Sequence, residues 1–202
     1  MKRYKQSEID ELANILKQDG VISVPTDTVY GICARINSIK AYNKLISIKN
    51  RPSNKSFPVM CADEEQIKSI AIVDEKIEKL IHAFMPGPVT LILNKKNEKN
   101  INNRGLRTTS EMAVRMAPSN ALKELIYKTG SPIFMTSDNQ SGEKECNNLD
   151  EIEKMCPTLD GMMEGNISFG KASTIIDCTQ EVIKIQRVGP ISKEDIIEAF
   201  KN

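Results

Sequence analysis

The chain has 202 residues with 28 Lys plus Arg against 27 Asp plus Glu, and a net charge of +1 offers no global attraction for nucleic acid or an acidic membrane, so any anion site must be local. With 40% hydrophobic and 27% charged residues, the balance is that of an ordinary globular protein and excludes a disordered or membrane-spanning chain. One domain over residues 1–202 is expected, and the cytoplasm is its default place, because Met1-Lys2-Arg3-Tyr4-Lys5 leads into a helix pattern without the apolar stretch of a signal peptide.

Ser7, Asp10 and Glu11, followed by apolar spacing at Ile9, Leu12, Ile15 and Leu16, predict a capped amphipathic helix that stops at Gly20. A strand over Val21–Val24 follows, and helical spacing returns from Ser38 to end near Pro52, because the residue before a proline resists helix. Phe57–Cys61 reads as a short strand, with helices at Asp63–Ile70 and Asp74–Phe84, a turn at Pro86-Gly87-Pro88 and a strand at Val89–Leu93. Beyond the polar stretch Asn94–Asn103, strands are predicted at Met112–Met116, Ile133–Thr136, Ser173–Asp177 and Val182–Gln186. Helices are predicted at Ser119–Tyr127, Leu149–Met155 and Ser192–Phe200. Several strands arrive with no helix between them, which points to an α/β (α+β) fold with a mixed sheet rather than a regular doubly wound one.

Five cysteines, Cys33, Cys61, Cys146, Cys156 and Cys178, at irregular spacings predict no disulfide framework. His82 is the sole histidine and falls inside a helical pattern, so it is expected to be a helix residue rather than a zinc ligand or a nucleophile's partner.

Chemistry concentrates where strands end. Pro25-Thr26-Asp27-Thr28-Val29-Tyr30-Gly31 crowds hydroxyls and a carboxylate after the first strand, either as a ligand site or as a hydroxyl-capped turn. Lys49 and Arg51 flank a helix end, where an anion would have to rely on side-chain charge, because the dipole there repels it; a solvated basic turn is the alternative. Arg115 lies within an apolar strand and needs either an internal carboxylate or a substrate carboxylate. Ser137-Asp138-Asn139-Gln140-Ser141-Gly142 again gathers short polar side chains after a strand. Gly165 to Lys171 is not a P-loop, since it precedes a strand and Ala172 stands where that motif needs a hydroxyl. Arg187-Val188-Gly189-Pro190 closes the set.

In this order, over about residues 12–191, Pro25–Gly31, Lys49-Asn50-Arg51-Pro52, Met85-Pro86-Gly87-Pro88-Val89-Thr90, Ala113-Val114-Arg115, Ser137–Gly142, Ser173-Thr174-Ile175-Ile176-Asp177 and Arg187-Val188-Gly189 resemble the YrdC-like family of threonylcarbamoyl-adenylate synthases. The resemblance implies a single domain, in the short form of the family, whose twisted mixed sheet surrounds a basic concave cavity with helices packed outside. It implies a nucleotidyltransferase that makes threonylcarbamoyl-AMP and pyrophosphate from ATP, L-threonine and bicarbonate for threonylcarbamoyladenosine modification of tRNA. Carried over by position, Lys49, Arg51, Ser137, Asn139 and Arg187 would hold ATP, and Thr26, Arg115 and Ser173 would hold threonine. Thr28 and Tyr30 would line the cavity, Mg2+ would accompany ATP, and no side chain would act as nucleophile or general base. Implied partners are the tRNA-modifying threonylcarbamoyltransferase complex and tRNA or double-stranded RNA, with no membrane. Alternatives are an RNA-binding module without this chemistry and a related carbamoyl-adenylating enzyme.

Three positions depart from the family pattern: Asp138 for alanine, Glu111 for a hydroxyl residue, and Ser56-Phe57-Pro58 for a proline-leucine run. The carboxylate of Asp138 is expected either to point away from bound triphosphate or to hold magnesium.

Overall fold

In the computed structural model, the described residues are 1–50, 56–96, 110–139, 146 and 148–200. They form one ten-stranded sheet and seven helices, in the order β1 (Arg3–Tyr4), α1 (Ile9–Lys17), β2 (Ile22–Pro25), β3 (Tyr30–Arg35), α2 (Ile39–Lys49), β4 (Val59–Cys61), α3 (Glu64–Ile70), α4 (Glu75–Phe84), β5 (Val89–Asn94), β6 (Glu111–Met116), α5 (Asn120–Thr129), β7 (Ile133–Ser137), α6 (Leu149–Met155), β8 (Gly161–Met163), β9 (Thr174–Asp177), β10 (Lys184–Arg187) and α7 (Lys193–Glu198).

The strands lie side by side as β1-β8-β2-β3-β7-β4-β6-β5-β9-β10. Parallel pairs (β1/β8, β2/β8, β4/β6, β5/β9) mix with antiparallel ones (β2/β3, β3/β7, β4/β7, β5/β6, β9/β10), so the sheet is mixed as its irregular element order requires. The predicted helices are present, several of them capped by short polar side chains: Ser38 accepts from the Ala41 amide, Asp63 from Gln66, Asp74 from Ile77, and Ser119 from Leu122. One of their ends differs from expectation: Glu8, not Ser7, precedes α1 and gives it no side-chain cap. α2 ends at Lys49, near Pro52 as expected, with Asn50 left-handed at φ 45°.

Both faces of the sheet are covered. On one, Leu45 of α2, Ile67 of α3, Leu80 of α4 and Ile152 of α6 pack on Ile32, Val59, Leu91, Val114 and Phe134. On the other, Leu12 and Leu16 of α1 and Leu125 and Ile126 of α5 cover Ile22, Val24, Cys33 and Ile133. Phe57, the aromatic departure from the family's run, is 1% exposed and packs edge-on to Tyr42, with ring centroids 6.0 Å apart. It fills core volume there.

All five cysteines are free and buried. Burial pushes the Cys146 and Cys178 thiols up to about 12 and raises Cys33, Cys61 and Cys156 as well. A thiol reagent at neutral pH is therefore expected to label the native protein slowly at every cysteine and the denatured protein at all five, read by mass spectrometry. His82 is exposed on α4, with Nε2 3.1 Å from Glu64.

Candidate functional site

The cavity is a product of strand alternation. On β5, Val89, Leu91 and Leu93 point into the core under α2–α4, so Thr90 and Ile92 face the other way; on β6, Met112 and Val114 point in and Ala113 and Arg115 face out. The cluster beneath helices α1 and α5 takes in residues of β1, β8, β2, β3, β7 and Met60 of β4, and none of β5, β6 or β9. Over β4, β6, β5 and β9 the same face lines a cavity of about 330 Å³, walled by Thr90, Ile92, Ala113, Arg115, Met60 and Ile175 and rimmed by Thr26, Thr28, Ser137, Ser173 and Arg187.

The turn between β2 and β3 is built on Thr26. Its Oγ1 donates to the Val29 carbonyl at 2.6 Å and accepts from the Thr28 and Val29 amides, both at 3.2 Å. The segment is a hydroxyl-capped turn, one of the two readings the sequence left open, and it presents Thr28 and Asp27 to Arg115. Arg115 Nη1 donates to Thr28 Oγ1 at 3.1 Å, and Nη2 donates to Asp27 Oδ1 at 2.7 Å and to the Gly87 carbonyl at 2.9 Å. Arg115 thus has an internal carboxylate and faces the cavity as well. Arg115 Nε and Asp27 Oδ2 are buried without a hydrogen-bond partner among the described residues.

Tyr30 does not line the cavity, contrary to expectation. Val29 and Gly31 on either side of it do, so alternation sends the Tyr30 ring to the opposite face, where its hydroxyl donates to the Gly165 carbonyl. Burial, and after it the Asp138 carboxylate, raises the pKa of that hydroxyl. The stretch after Gly165 returns over the Thr26 turn, with the Ser168 and Phe169 amides donating to the Asp27 carbonyl at 3.2 and 2.8 Å.

At the end of β7, Ser137 Oγ donates to Asn139 Oδ1 at 2.6 Å. Lys49, only 2% exposed at the end of α2, donates its ammonium to the Ser137 and Asn139 carbonyls and to Asn139 Oδ1 at 3.2 Å. Lys49 and Asn139 are therefore gathered with Ser137 at the strand end, beneath the cavity rim rather than on it. Arg51 lies outside the described residues, as do Gln140, Ser141 and Gly142.

Asp138 resolves its own question: it is fully buried, and its Oδ1 accepts from the Cys146 amide at 3.1 Å while its carbonyl accepts from the Cys156 thiol at 3.2 Å. The carboxylate points away from the cavity. Glu111, the other charged departure, sits at the far end of β6 opposite Asn94, away from the cavity.

Ser173 and Arg187 meet across β9 and β10. Arg187 Nε donates to the Ser173 carbonyl at 3.0 Å and Nη2 to Ser173 Oγ at 3.4 Å. Gly189 permits this closure, since a Cβ there would lie 2.4 Å from the Ala172 carbonyl oxygen and the Thr174 nitrogen, both backbone atoms that cannot move aside. Sequence reasoning quoted Thr90 only as part of a motif. Its only signal is a single hydroxyl within the apolar run Val89–Leu93, which does not by itself tell a buried face from a cavity wall.

Threonylcarbamoyl-AMP synthase from Bacillus subtilis is 31% identical over 195 residues, covering 94% of this chain and 55% of the relative. The crystal structure of Pyrococcus abyssi Sua5 complexed with L-threonine matches with a TM-score of 0.90 at 25% identity, covering 98% of this chain and 60% of that one. Escherichia coli YciO matches with a TM-score of 0.86 at 23% identity, covering 96% and 98%. The chain thus spans little more than half the length of the first two and nearly all of the third. The Sua5/YciO/YrdC family model, described as telomere recombination, matches residues 14–189, and with the mixed sheet and its cavity this establishes that the chain belongs to that family.

Proposed function

We propose that this protein is an L-threonylcarbamoyladenylate synthase, a nucleotidyltransferase that forms threonylcarbamoyl-AMP from ATP, threonine and bicarbonate. The observation that carries the reading is one cavity lined together by Arg115, Ser173, Ser137 and Arg187. Its volume of about 330 Å³ sits at the small end of ligand pockets, which run from about 300 to 1,000 Å³. That suits an amino acid or its carbamate, with the nucleotide lying across the rim.

In this reading the threonine amine, deprotonated, adds to bicarbonate with loss of water to give a carbamate. A carbamate oxygen then attacks the α-phosphorus of ATP and pyrophosphate leaves with the electron pair of the broken P–O bond. No protein nucleophile is required, and the residues contribute position and charge. Arg115 and Ser173 receive threonine beside the Thr26 turn; Ser137, Asn139, Arg187, Lys49 and Arg51 serve the nucleotide. Among the described residues no three His, Cys, Asp or Glu side chains are grouped to hold a metal, so magnesium enters as part of the Mg·ATP substrate, bound through phosphate oxygens. The product passes to a threonylcarbamoyltransferase complex acting on tRNA in the cytoplasm. No helix among the described residues is long and apolar enough to cross a membrane.

Pyrophosphate release is the test. With ATP and bicarbonate, release is expected with threonine and near background with serine or no amino acid; equal release in all three would end the reading. Salt-sensitive RNA binding without any nucleotide product would favour a binding module instead. Replacing Arg187 by Ala, which removes an exposed charge-assisted donor, is expected to lower kcat/KM for ATP on the order of tenfold.

A further inference from the structure

Hydroxyl hydrogens around the cavity can be followed one at a time. Thr26 gives its hydrogen to the Val29 carbonyl and its two lone pairs to the Thr28 and Val29 amides. Thr28 Oγ1, 3.0 Å from Thr26 Oγ1, receives Arg115 Nη1. Ser137 gives its hydrogen to Asn139. Thr26 and Ser137 therefore have no hydrogen left for a ligand.

Thr90 and Ser173 differ. Their oxygens are 2.7 Å apart, the residues are 3% and 6% exposed, and neither hydroxyl has another acceptor among the described residues. Two hydroxyls carry two hydrogens and their mutual bond uses one, so whichever donates, one O–H remains unused beside the cavity. Arg187 cannot take it, because a guanidinium only donates. A buried donor without an acceptor is costly, which makes this pair a site awaiting an oxygen.

Position says which oxygen. The β5/β6 register pairs Leu91 with Val114 and Ile92 with Ala113, so one step on it sets Thr90 opposite Arg115, with Ser173 on its other flank. The unused hydrogen therefore stands beside the cavity's buried guanidinium, where an anion is favoured. Thr136 also lacks a side-chain hydrogen bond among the described residues, but it lies on β7, two strands beyond β6, next to Ser137.

We propose that Thr90 is a threonine-binding residue: the Thr90–Ser173 pair donates one hydroxyl hydrogen to the substrate carboxylate that Arg115 attracts. The proposal rests on the threonine reading above and adds a residue to it.

The experiment is calorimetric titration of threonine, threoninol and ATP into the parent, Thr90→Val and Thr90→Ser proteins, with thermal unfolding of each. Thr90→Val leaves Ser173 its own hydrogen but takes away the hydroxyl that orients it and donates alongside it, and is expected to weaken threonine binding on the order of tenfold. Threoninol, which has no carboxylate, should bind parent and Thr90→Val alike, ATP affinity should hold, and Thr90→Ser should restore threonine binding. Should the valine variant fail to fold, Thr90→Ala gives the same comparison. Unchanged threonine affinity in Thr90→Val overturns the proposal, as does an equal loss for threonine, threoninol and ATP with a lowered Tm, which would mark a structural role. If the parent itself binds no threonine, the substrate reading falls and takes this proposal with it.

Discussion

Replacing Arg115 by Met is expected to cost both stability and activity, more than any other single change at the cavity. The guanidinium donates to Thr28, Asp27 and Gly87, and the Arg115–Asp27 ion pair is 9% and 13% exposed at its side chains. Removing the cation leaves the Asp27 carboxylate buried without its counter-charge, and changes of that kind cost about 3 to 5 kcal/mol. Thermal or urea unfolding would read the loss, and threonine-dependent pyrophosphate release should fall by on the order of a thousandfold. Two companions separate the roles. Asp27→Asn keeps an acceptor for Arg115 but leaves its charge without a counter-charge, so it should cost stability as well, and Arg115→Met combined with Asp27→Asn should recover stability without recovering activity. A fully active Arg115→Met would remove this residue from the substrate site.

Lys49→Met is the second large effect. Its ammonium, buried at the end of α2, holds the Ser137 and Asn139 carbonyls and the Asn139 side chain, so its loss leaves several buried acceptors short of a donor. Each such acceptor costs about 1 to 3 kcal/mol before relaxation. The turn that carries Ser137 and Asn139 should loosen, and the KM for ATP should rise on the order of a hundredfold while threonine affinity changes little. Lys49→Arg is not a rescue, because a planar fork does not fit a site shaped around a compact ammonium. Equal losses for ATP and threonine would show instead that the centre of the sheet around β7 had collapsed.

Much of this was legible in the sequence because the signals were local. The helices announced themselves through caps and spacing, and β5 and β6 as short apolar runs. Three strands were not read. β1 and β8 have two and three residues, too short for a period to appear, and β3 carries Gly31, Cys33 and Ala34 among its six residues and is buried almost throughout, so it shows no alternation. At the site, the types and places of Arg115, Ser137, Ser173 and Arg187 could be picked out, whereas partnership could not. That Asp27 would be the carboxylate for Arg115, that Tyr30 would turn under the sheet, and that Asp138 would face Cys146 are facts of pairing between distant strands. Only the register β2/β3/β7 and β4/β6/β5 decides them.

The strand order has a kinetic consequence. β2 and β3 are made early in the chain, yet the cavity needs residues beside β9 and β10 as well, and pairings such as β5 with β9 and β2 with β8 join residues far apart in sequence. Sheets dominated by such distant contacts fold slowly, because loop-closure entropy is lost before the contacts that offset it form. No partly assembled form has a complete pocket, so a substrate recognises only the finished molecule. Saturating threonine should then slow global unfolding and protect amides throughout the central strands from exchange, rather than those around the cavity alone.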